Sequence, residues 1–255
     1  MGLVLKTEQE IETMRRAGRI VHAVLDAVEA ACVPGASTWD LDQIARRALE
    51  AHGARSCFLG YSPRSLPPYP AVLCASVNDV VVHGIPRRDV ILAEGDVIGI
   101  DFACFKDGFA ADAARTVAVG AVSAPARALV EVTREALTHA IACCVPGGRL
   151  GDVSNAVQRH AEGNGYAVVR ELVGHGIGRA MHEPPSVPNF GAAGLGLRLE
   201  PGLVIAIEPM VNARGASVHT REDGWTIATD DGGLSAHFEH TVAITATGPE
   251  ILTAP

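Results

Sequence analysis

The feature of this 255-residue chain that most constrains its fold is an internal repeat of one strand motif. Residues 95–101 (GDVIGID) match residues 202–208 (GLVIAIE) position by position. Each run is rich in Val and Ile and apolar almost throughout, as expected of a strand that is buried on both faces. Each run also ends in an acid, Asp101 or Glu208. The repeat predicts two related halves.

Other segments also occur twice, in the same order in each half. The sequence CVPG occurs at 32–35 and at 144–147, each time between two predicted helices. The predicted helix pairs are 8–31 with 38–52, and 124–144 with 150–163. The capping-box pattern Thr7-x-x-Glu10 marks the first start. HGI recurs at 83–85 and 175–177, and a second acid precedes a later strand in each half, namely Asp112 and Glu239.

This order predicts an α+β fold with two pseudo-twofold-related halves, in which antiparallel sheets are covered by helices. We expect a single domain spanning 1–255, with an internal duplication of approximately 8–120 and 123–250. The net charge of −8 and the lack of a Lys/Arg-rich run argue against nucleic acid as a partner. The sequence shows no secretory signal, no membrane span and no CxxC pair, so we expect a cytoplasmic protein without membrane contact.

The four strand acids indicate a metal site. Asp107-Gly108 is a strong hairpin signal, and a two-residue turn there pairs Asp112 with Ala103. Asp101 then lies two positions along on the same sheet face, within reach of one ion. Any single acid could be a strand-end carboxylate that faces water or bonds to backbone. Four at duplicated positions would repel one another severely without cations.

A histidine in a Gly-rich stretch, His175, completes an oxygen-rich ligand set with these acids. Such a set favours Mn²⁺, Fe²⁺ or Co²⁺ over a thiolate zinc site, although Zn²⁺ is compatible. Two divalent ions about 3.5–4 Å apart, bridged by two of the acids, satisfy the number of ligands. His237 and His240 flank Glu239 and are ambiguous, with a structural role favoured. A structural role is also expected for the remaining histidines His22, His52, His139, His160 and His219.

Several motifs together resemble the type I methionine aminopeptidases. They are SVNDVVVHGIP (76–86), IDFACFKDGFAAD (100–112), GHGIGRAMHEPP (174–185), AIEPMV (206–211), DGWT (223–226) and SAHFEHT (235–241). The similarity extends over essentially the whole chain. The resemblance implies the "pita-bread" fold, a metallo-exopeptidase activity, and removal of the N-terminal methionine from chains whose second residue is small.

The resemblance also implies residue roles. It makes Asp112 and Glu239 the bridging ligands of a dinuclear centre with a bridging hydroxide, and it gives Glu208 a second task as proton carrier. His182 is expected to donate to the substrate carbonyl, and His83 to contact the scissile amide. The full ligand set that it implies is Asp101, Asp112, His175, Glu208 and Glu239.

Methionine is expected to bind in an apolar pocket, because its thioether is recognised by shape and by sulfur–aromatic contact. The candidates are Tyr69, Cys74 and Trp225, with Tyr61 and Met181 as further possibilities. One departure from the family pattern lies beside this pocket. The segment 62–68 contains three prolines and is longer than the family's usual connection, which predicts a stiff surface loop.

Two rival functions are compatible with this fold. A proline-specific aminopeptidase of the same fold usually carries a separate N-terminal domain, whereas here the first half begins almost at once. A non-catalytic pita-bread protein that binds a protein or RNA partner typically lacks metal ligands, and all five are present here. The expected partners are therefore the N-termini of nascent polypeptides. Contact with the ribosome is compatible with that role, and we expect a monomer.

Overall fold

Helices cover the outside of the sheet that carries the predicted acids. The computed structural model describes residues 2–63 and 66–255, and Arg64 and Ser65 of the proline-containing segment lie outside the described residues. Within this part of the chain the helices are α1 (Glu8–Glu29), α2 (Thr38–Ala51), α3 (Ala124–Ala142) and α4 (Leu150–Gly163). Their bounds agree with the predicted ones to within two residues.

The first helix begins where the capping box predicts. The Thr7 hydroxyl accepts from the Glu10 backbone N–H, and the Glu10 carboxylate accepts from the Thr7 backbone N–H at 2.9 Å. Two otherwise unpaired N–H groups at the helix start are thereby satisfied. The side chains that α1 buries recur at helical spacing and include Met14, Val21 and Leu25. The predicted amphipathic helix is confirmed.

Every strand pair in the described residues is antiparallel. The strands are β1 (Arg55–Ser56), β2 (Cys74–Val77), β3 (Val80–Val82), β4 (Val97–Lys106), β5 (Phe109–Ala118), β6 (Ala167–Val168), β7 (Gly174–Gly176), β8 (Glu183–Val187), β9 (Val204–Ile207), β10 (Met210–Asn212), β11 (Val218–Thr220), β12 (Ile227–Thr229), β13 (Ser235–His237), β14 (Glu239–Thr245) and β15 (Gly248–Ile251).

The central sheet interleaves strands from the two ends of the chain. Its order over the described residues is β1-β4-β5-β14-β9-β7-β8, with β2 also paired to β4 and β15 to β14. Two smaller sheets, β13-β10-β6 and β11-β12-β3, complete the strand pairing. Because β14 lies between β5 and β9, the strands that carry the predicted acids of both halves are neighbours. The boundaries 8–120 and 123–250 of the duplication stay a prediction.

The hairpin between β4 and β5 sets the register of the first two acids. Asp107 and Gly108 have φ values of +50° and +83°, the left-handed values that a tight two-residue hairpin turn requires. Ala103 pairs with Asp112, as the sequence predicts, and Asp101 pairs with Ala114. Side chains alternate between faces along a strand, so both acids project to the same side of the sheet.

The opposite face of the sheet packs against the helices. Ile98, Ile100 and Phe102 of β4 belong to one apolar cluster with residues of α1 and α2. Ile205 and Ile207 of β9 belong to another cluster with residues of α3 and α4. The sheet therefore has an apolar face under the helices and a face that carries carboxylates. In residues 2–63 and 66–255, none of the helices combines the length and apolar character needed to cross a membrane.

Helix α1 touches the C-terminal strands most closely at a glycine. A Cβ atom added to Gly18 would lie 1.9 Å from the backbone oxygen of Leu252, so the residue at this position must lack a side chain. Gly163, the last residue of α4, would place its Cβ in open space. Gly18 and Gly163 thus differ in packing.

We predict that Gly18→Ala lowers the free energy of unfolding by about 2–3 kcal/mol, because helix and strand must move apart. Gly163→Ala is the matched control and should raise that free energy by about 0.5–1 kcal/mol through helix propensity. Urea unfolding followed by circular dichroism measures both values. Equal effects of the two substitutions would contradict the close packing.

Candidate metal centre

One cavity collects the side chains that the sequence singles out. It has a volume of about 870 Å³ and lies against the carboxylate face of the central sheet. Its lining includes every candidate site residue of the sequence analysis, namely Tyr69, Cys74, His83, Asp101, Asp112, His175, His182, Glu208, Trp225 and Glu239. Tyr61 and Met181 line the same cavity.

Three neighbouring strands bring acids of both halves together. Glu239 on β14 pairs with Ala114 of β5, two residues from Asp112. Both acids are nearly inaccessible, with 5% of Asp112 and 2% of Glu239 exposed. Thr241 fastens the two strands, since its hydroxyl donates to the Asp112 carbonyl at 2.8 Å and accepts from the Asp112 N–H at 3.0 Å. The backbone of Asp112 is therefore fixed by a side chain of the other half.

His175 lies on β7, which approaches β9 unusually closely. A Cβ added to Gly174 would lie 2.4 Å from the backbone oxygen of Ala206 on β9, and one added to Gly176 would lie 2.2 Å from that of Pro184 on β8. His175 pairs with Ala206, and its Nε2 lies 3.6 Å from Oε1 of Glu208. Its Nδ1 lies 2.9 Å from the Gly176 carbonyl, which can only accept, so Nδ1 carries the proton and Nε2 presents a lone pair.

The surroundings of the four acids oppose ionisation of their carboxyl groups. Burial raises the pKa of Asp101, Asp112, Glu208 and Glu239, and Coulomb repulsion adds to the effect for Asp101, Glu208 and Glu239. Burial also lowers the pKa of His175 to about 3, so its imidazole is neutral at neutral pH. These are the directions expected of acids and a histidine removed from water together.

Unpaired oxygen atoms show that a partner for the acids is missing from the protein itself. In the described part of the chain, Asp101 Oδ1, Asp112 Oδ1 and Glu239 Oε1 are buried and have no hydrogen-bond partner. Ligand atoms of Asp112, His175 and Glu239 all lie within 4.8 Å of one another. Carboxylate oxygens and a neutral imidazole nitrogen are donors for a divalent cation. The residues present therefore fit a metal ion.

Two further histidines face the cavity with different surroundings. His83 follows β3 with φ of +59°, a backbone strain that a non-glycine residue adopts only when its surroundings enforce it. Burial lowers the pKa of His83 to about 4, and His182 adds to that shift. His182 is more exposed, and its Nδ1 lies 2.8 Å from the Tyr61 hydroxyl. Its ring centroid lies 4.2 Å from that of His175.

Aromatic rings form an apolar wall next to the acids. Tyr69 and Trp225 meet edge to face with centroids 5.2 Å apart, and both are more than nine-tenths buried. Cys74 is buried in the same cluster, and on β2 it pairs with Asp101. The Trp225 indole donates to the Pro67 carbonyl at 2.8 Å. The proline-containing segment thus contacts the wall of this cavity, as its position in the sequence predicts.

The remaining histidines lie elsewhere or have other partners. Among the described residues, none of His22, His52, His139, His160, His219, His237 and His240 is part of the cavity lining. His240 Nδ1 contacts the Thr253 hydroxyl at 2.8 Å, in keeping with the structural role favoured for it. His237 is buried next to β5 with an unpaired Nε2. The Thr116 hydroxyl accepts from the backbone N–H of His237 at 2.8 Å.

Two supporting residues were missed by the sequence reasoning. Thr241 anchors Asp112, and the Asn189 amide donates to the Glu208 carbonyl at 2.9 Å. Thr241 follows Glu239 by two residues on the same strand, so the alternation of faces could have indicated it. Asn189 lies in a connecting segment without a repeating pattern, and no signal in the sequence indicates its contact.

Comparison with known proteins identifies the class to which this site belongs. The profile of metallopeptidase family M24 matches residues 12–246, and the chain belongs to that family. Use of a divalent metal follows from this membership.

Within the family, full-length relatives are methionine aminopeptidases. Methionine aminopeptidase B of Synechocystis is 47% identical over 99% of this chain and 92% of its own length. Methionine aminopeptidase of Aquifex aeolicus is 47% identical over 99% of both chains. The crystal structure of methionine aminopeptidase from Thermotoga maritima superposes with a TM-score of 0.96 at 42% identity, covering 100% of both chains. The predicted family resemblance and fold are confirmed.

The electrostatics of the acids generate a prediction for the metal-free protein. A carboxyl whose pKa is higher in the folded than in the unfolded state costs stability as pH rises from the unfolded pKa towards the folded one. With the unfolded Asp near 3.9, the free energy of unfolding should fall as the pH rises above about 4 and through about 7, the pKa of Asp112 in the folded protein, and Asp101→Asn should reduce this fall.

Chemical unfolding in chelator at a series of pH values measures this dependence. The exposed hairpin variant Asp107→Asn is the control, since asparagine tolerates the left-handed turn, and it should keep the wild-type dependence. A wild-type dependence in Asp101→Asn would contradict the proposed strain at the four acids.

Proposed function

We propose that this chain is a metal-dependent methionine aminopeptidase that removes the N-terminal methionine from nascent proteins and peptides with a small second residue. The observation that carries the proposal is the convergence of four buried acids and a neutral histidine beside an apolar aromatic wall. The family membership and the full-length relatives support the same activity. Neither the acids nor the wall alone would specify it.

The strand order supports a two-ion centre. Asp101 is on β4 and His175 is on β7, so these residues approach the cavity from opposite sides. Asp112 and Glu239 lie between them on β5 and β14, which supports their assignment as the ligands that two ions would share. The oxygen-rich donor set favours Mn²⁺, Fe²⁺ or Co²⁺ and remains compatible with Zn²⁺. When bound, two such ions lower the pKa of a water molecule and polarise the scissile carbonyl group.

Glu208 holds a dual position. Its carboxylate faces His175 Nε2, and its backbone carbonyl is fixed by Asn189. Of its two oxygens, one can bind metal while the other accepts a proton and returns it to the leaving amine. General acid–base catalysis needs a carboxyl group within hydrogen-bond reach of both partners, and a cavity wall beside the reacting groups meets that need.

His182 and His83 act on the substrate from the two sides of the cavity. When the Tyr61 hydroxyl donates to Nδ1 of His182, the imidazole proton lies on Nε2. That N–H can donate to the substrate carbonyl oxygen as negative charge develops on it. His83 is neutral because burial lowers its pKa, and it is placed to contact the scissile amide. Neither role requires either imidazole to become charged.

The apolar wall selects the side chain that is removed. Tyr69, Cys74 and Trp225 form a buried surface against which an unbranched thioether can pack. The adjoining acids and metal ions would hold the free α-amine, which confines cleavage to chain ends. A cytoplasmic location, action on chains as they leave the ribosome, and a monomeric state complete the proposal.

The activity can be tested directly with peptides. Metal-stripped protein reloaded with Mn²⁺, Co²⁺, Fe²⁺ or Zn²⁺ should release methionine from Met-Gly peptides and spare Met-Leu and Ala-Pro peptides. Glu208→Ala should lower kcat by at least about 10³-fold, because it removes a ligand and the proton carrier together. Glu200→Ala, at an exposed acid shortly before β9, is the matched control and should leave kcat unchanged.

Failure to cleave any Met peptide with every metal would refute the proposal. Cleavage of Ala-Pro in preference to Met-Gly would instead favour the proline-specific alternative.

The ligand assignment makes a separate prediction about the number of ions. Titration of the metal-free protein with Mn²⁺ in a calorimeter should show two equivalents at saturation. Asp101→Asn should weaken binding of one ion by at least about tenfold, the loss reported for weakened metal sites. Glu239→Gln, which alters a bridging ligand, should weaken both. A single ion in the wild type at millimolar Mn²⁺ would contradict the dinuclear centre.

A further inference from the structure

A buried ion pair lies directly behind the segment that carries His182. Lys6 Nζ donates to Glu183 Oε2 at 2.6 Å, and the two side chains are 2% and 13% exposed. The second oxygen of Glu183 accepts from the Ala180 N–H at 3.0 Å. Nζ of Lys6 also donates to the Val4 carbonyl at 3.1 Å. Both ends of the pair therefore have further hydrogen bonds.

The lysine is held tightly against this segment. Its backbone N–H donates to the carbonyl of Gly202, the first residue of the second-half strand motif, at 2.7 Å. A Cβ on Gly178 would lie 2.5 Å from Cε of Lys6, so the lysine stem packs on the backbone itself. The segment 178–183, which we call the His182 loop, thus rests on a residue that precedes α1.

Other attachments of the His182 loop are fewer or more exposed. Arg179 pairs with Glu10 at 2.9 Å, but its side chain is 69% exposed. The Gly178 carbonyl accepts from the Ala110 N–H at 2.7 Å at the start of the loop. At its far end, Glu183 opens β8 directly after His182. Met181, directly before the histidine, is buried in the apolar cluster of Tyr69 and Trp225, so the buried pair is the firmest polar side-chain attachment next to the histidine.

We propose that the Lys6–Glu183 ion pair is a positioning element that sets the place of the His182 imidazole over the metal centre. This inference rests on the role of His182 in the proposed function. On its cavity side the imidazole contacts the Tyr61 hydroxyl, and on the chain side it is joined to Glu183. The ring is thus held between one hydrogen bond and one buried ion pair.

Removal of the ammonium group would displace this arrangement. An unpaired carboxylate cannot stay where Glu183 is buried, because the cost of an uncompensated buried charge is large. The carboxylate would turn towards water and draw the adjacent His182 with it. A shift of about 1 Å in a positioned group can lower a rate about 100-fold, since the alignment with the reacting atoms is lost.

A merely structural role of the pair makes a different prediction. If Lys6 only docks the N-terminal segment onto the protein, its loss lowers stability and affects every activity alike. If it acts through His182, its loss has no further effect once His182 is absent. A double-mutant cycle separates these cases, because coupled residues are non-additive.

The test compares Lys6→Met and the double variant Lys6→Met/Glu183→Gln, in which no charge is left unpaired, with wild type at saturating Mn²⁺ on a Met-Gly peptide. Both variants should lower kcat at least tenfold, because methionine at position 6 has no donor that can hold the side chain at position 183 in place, with KM and metal stoichiometry within twofold of wild type. In a His182→Ala background the same changes should alter the residual kcat by less than twofold. Arg15→Met, which removes the α1 ion pair to Glu250, is the matched control and should leave kcat unchanged.

Two results would overturn the proposal. One is wild-type kcat in the folded, metal-loaded double variant. The other is an equal loss with and without His182, which assigns the pair to stability alone.

A readout without turnover keeps this proposal separate from the proposed function. The side-chain ¹⁵N resonances of His182 report its hydrogen bond to Tyr61, and Lys6→Met should shift them whereas Arg15→Met should not. If wild type cleaves no Met peptide, the proposed function fails, and these resonances decide the positioning role. Unchanged His182 resonances in Lys6→Met would then reject it.

Discussion

Asp101, Asp112, Glu208 and Glu239 converge in one cavity, where mutual repulsion and lost hydration oppose their ionisation. Such an arrangement is costly to a folded protein unless cations offset it. The surrounding structure holds the acids together despite this cost. Helices bury the opposite face of the sheet, and close backbone approach at Gly174 brings a neutral imidazole to the carboxylates. Because the acids repel one another, the structure around them must be rigid to keep them together.

The sheet topology explains how two halves of a chain make one centre. Strand β14 inserts between β5 and β9, so Glu239 is held on both sides by strands that carry other acids. Thr241 also joins the two halves, because its hydroxyl on β14 bonds to the N–H and the carbonyl of Asp112 on β5 and fixes that backbone. His182 is likewise held by residues that are distant in sequence. Its imidazole contacts the Tyr61 hydroxyl, and the adjacent Glu183 pairs with Lys6 near the start of the chain. Each reactive group is placed by residues distant in sequence.

Local chemistry made much of this predictable. The hairpin at Asp107 fixes a register, and alternation of faces then places Asp101 and Asp112 together without knowledge of the tertiary fold. Helix starts follow from capping residues in the same way. The pairing of β5 with β14 does not, since no local rule joins residues so far apart. The Lys6–Glu183 contact spans 177 positions, and only the folded chain reveals it.

The spread of the proposed ligands along the chain has a consequence for biosynthesis. They extend from residue 101 to residue 239, and the strand that carries the last of them lies in the middle of the sheet. A growing chain that has exposed only its first half presents Asp101 and Asp112 beside an open sheet edge. Domains generally fold as units during translation, and this one can close its sheet only after residue 239 has left the ribosome. With the proposed ligand set, the complete metal centre can therefore assemble only after residue 239 has emerged.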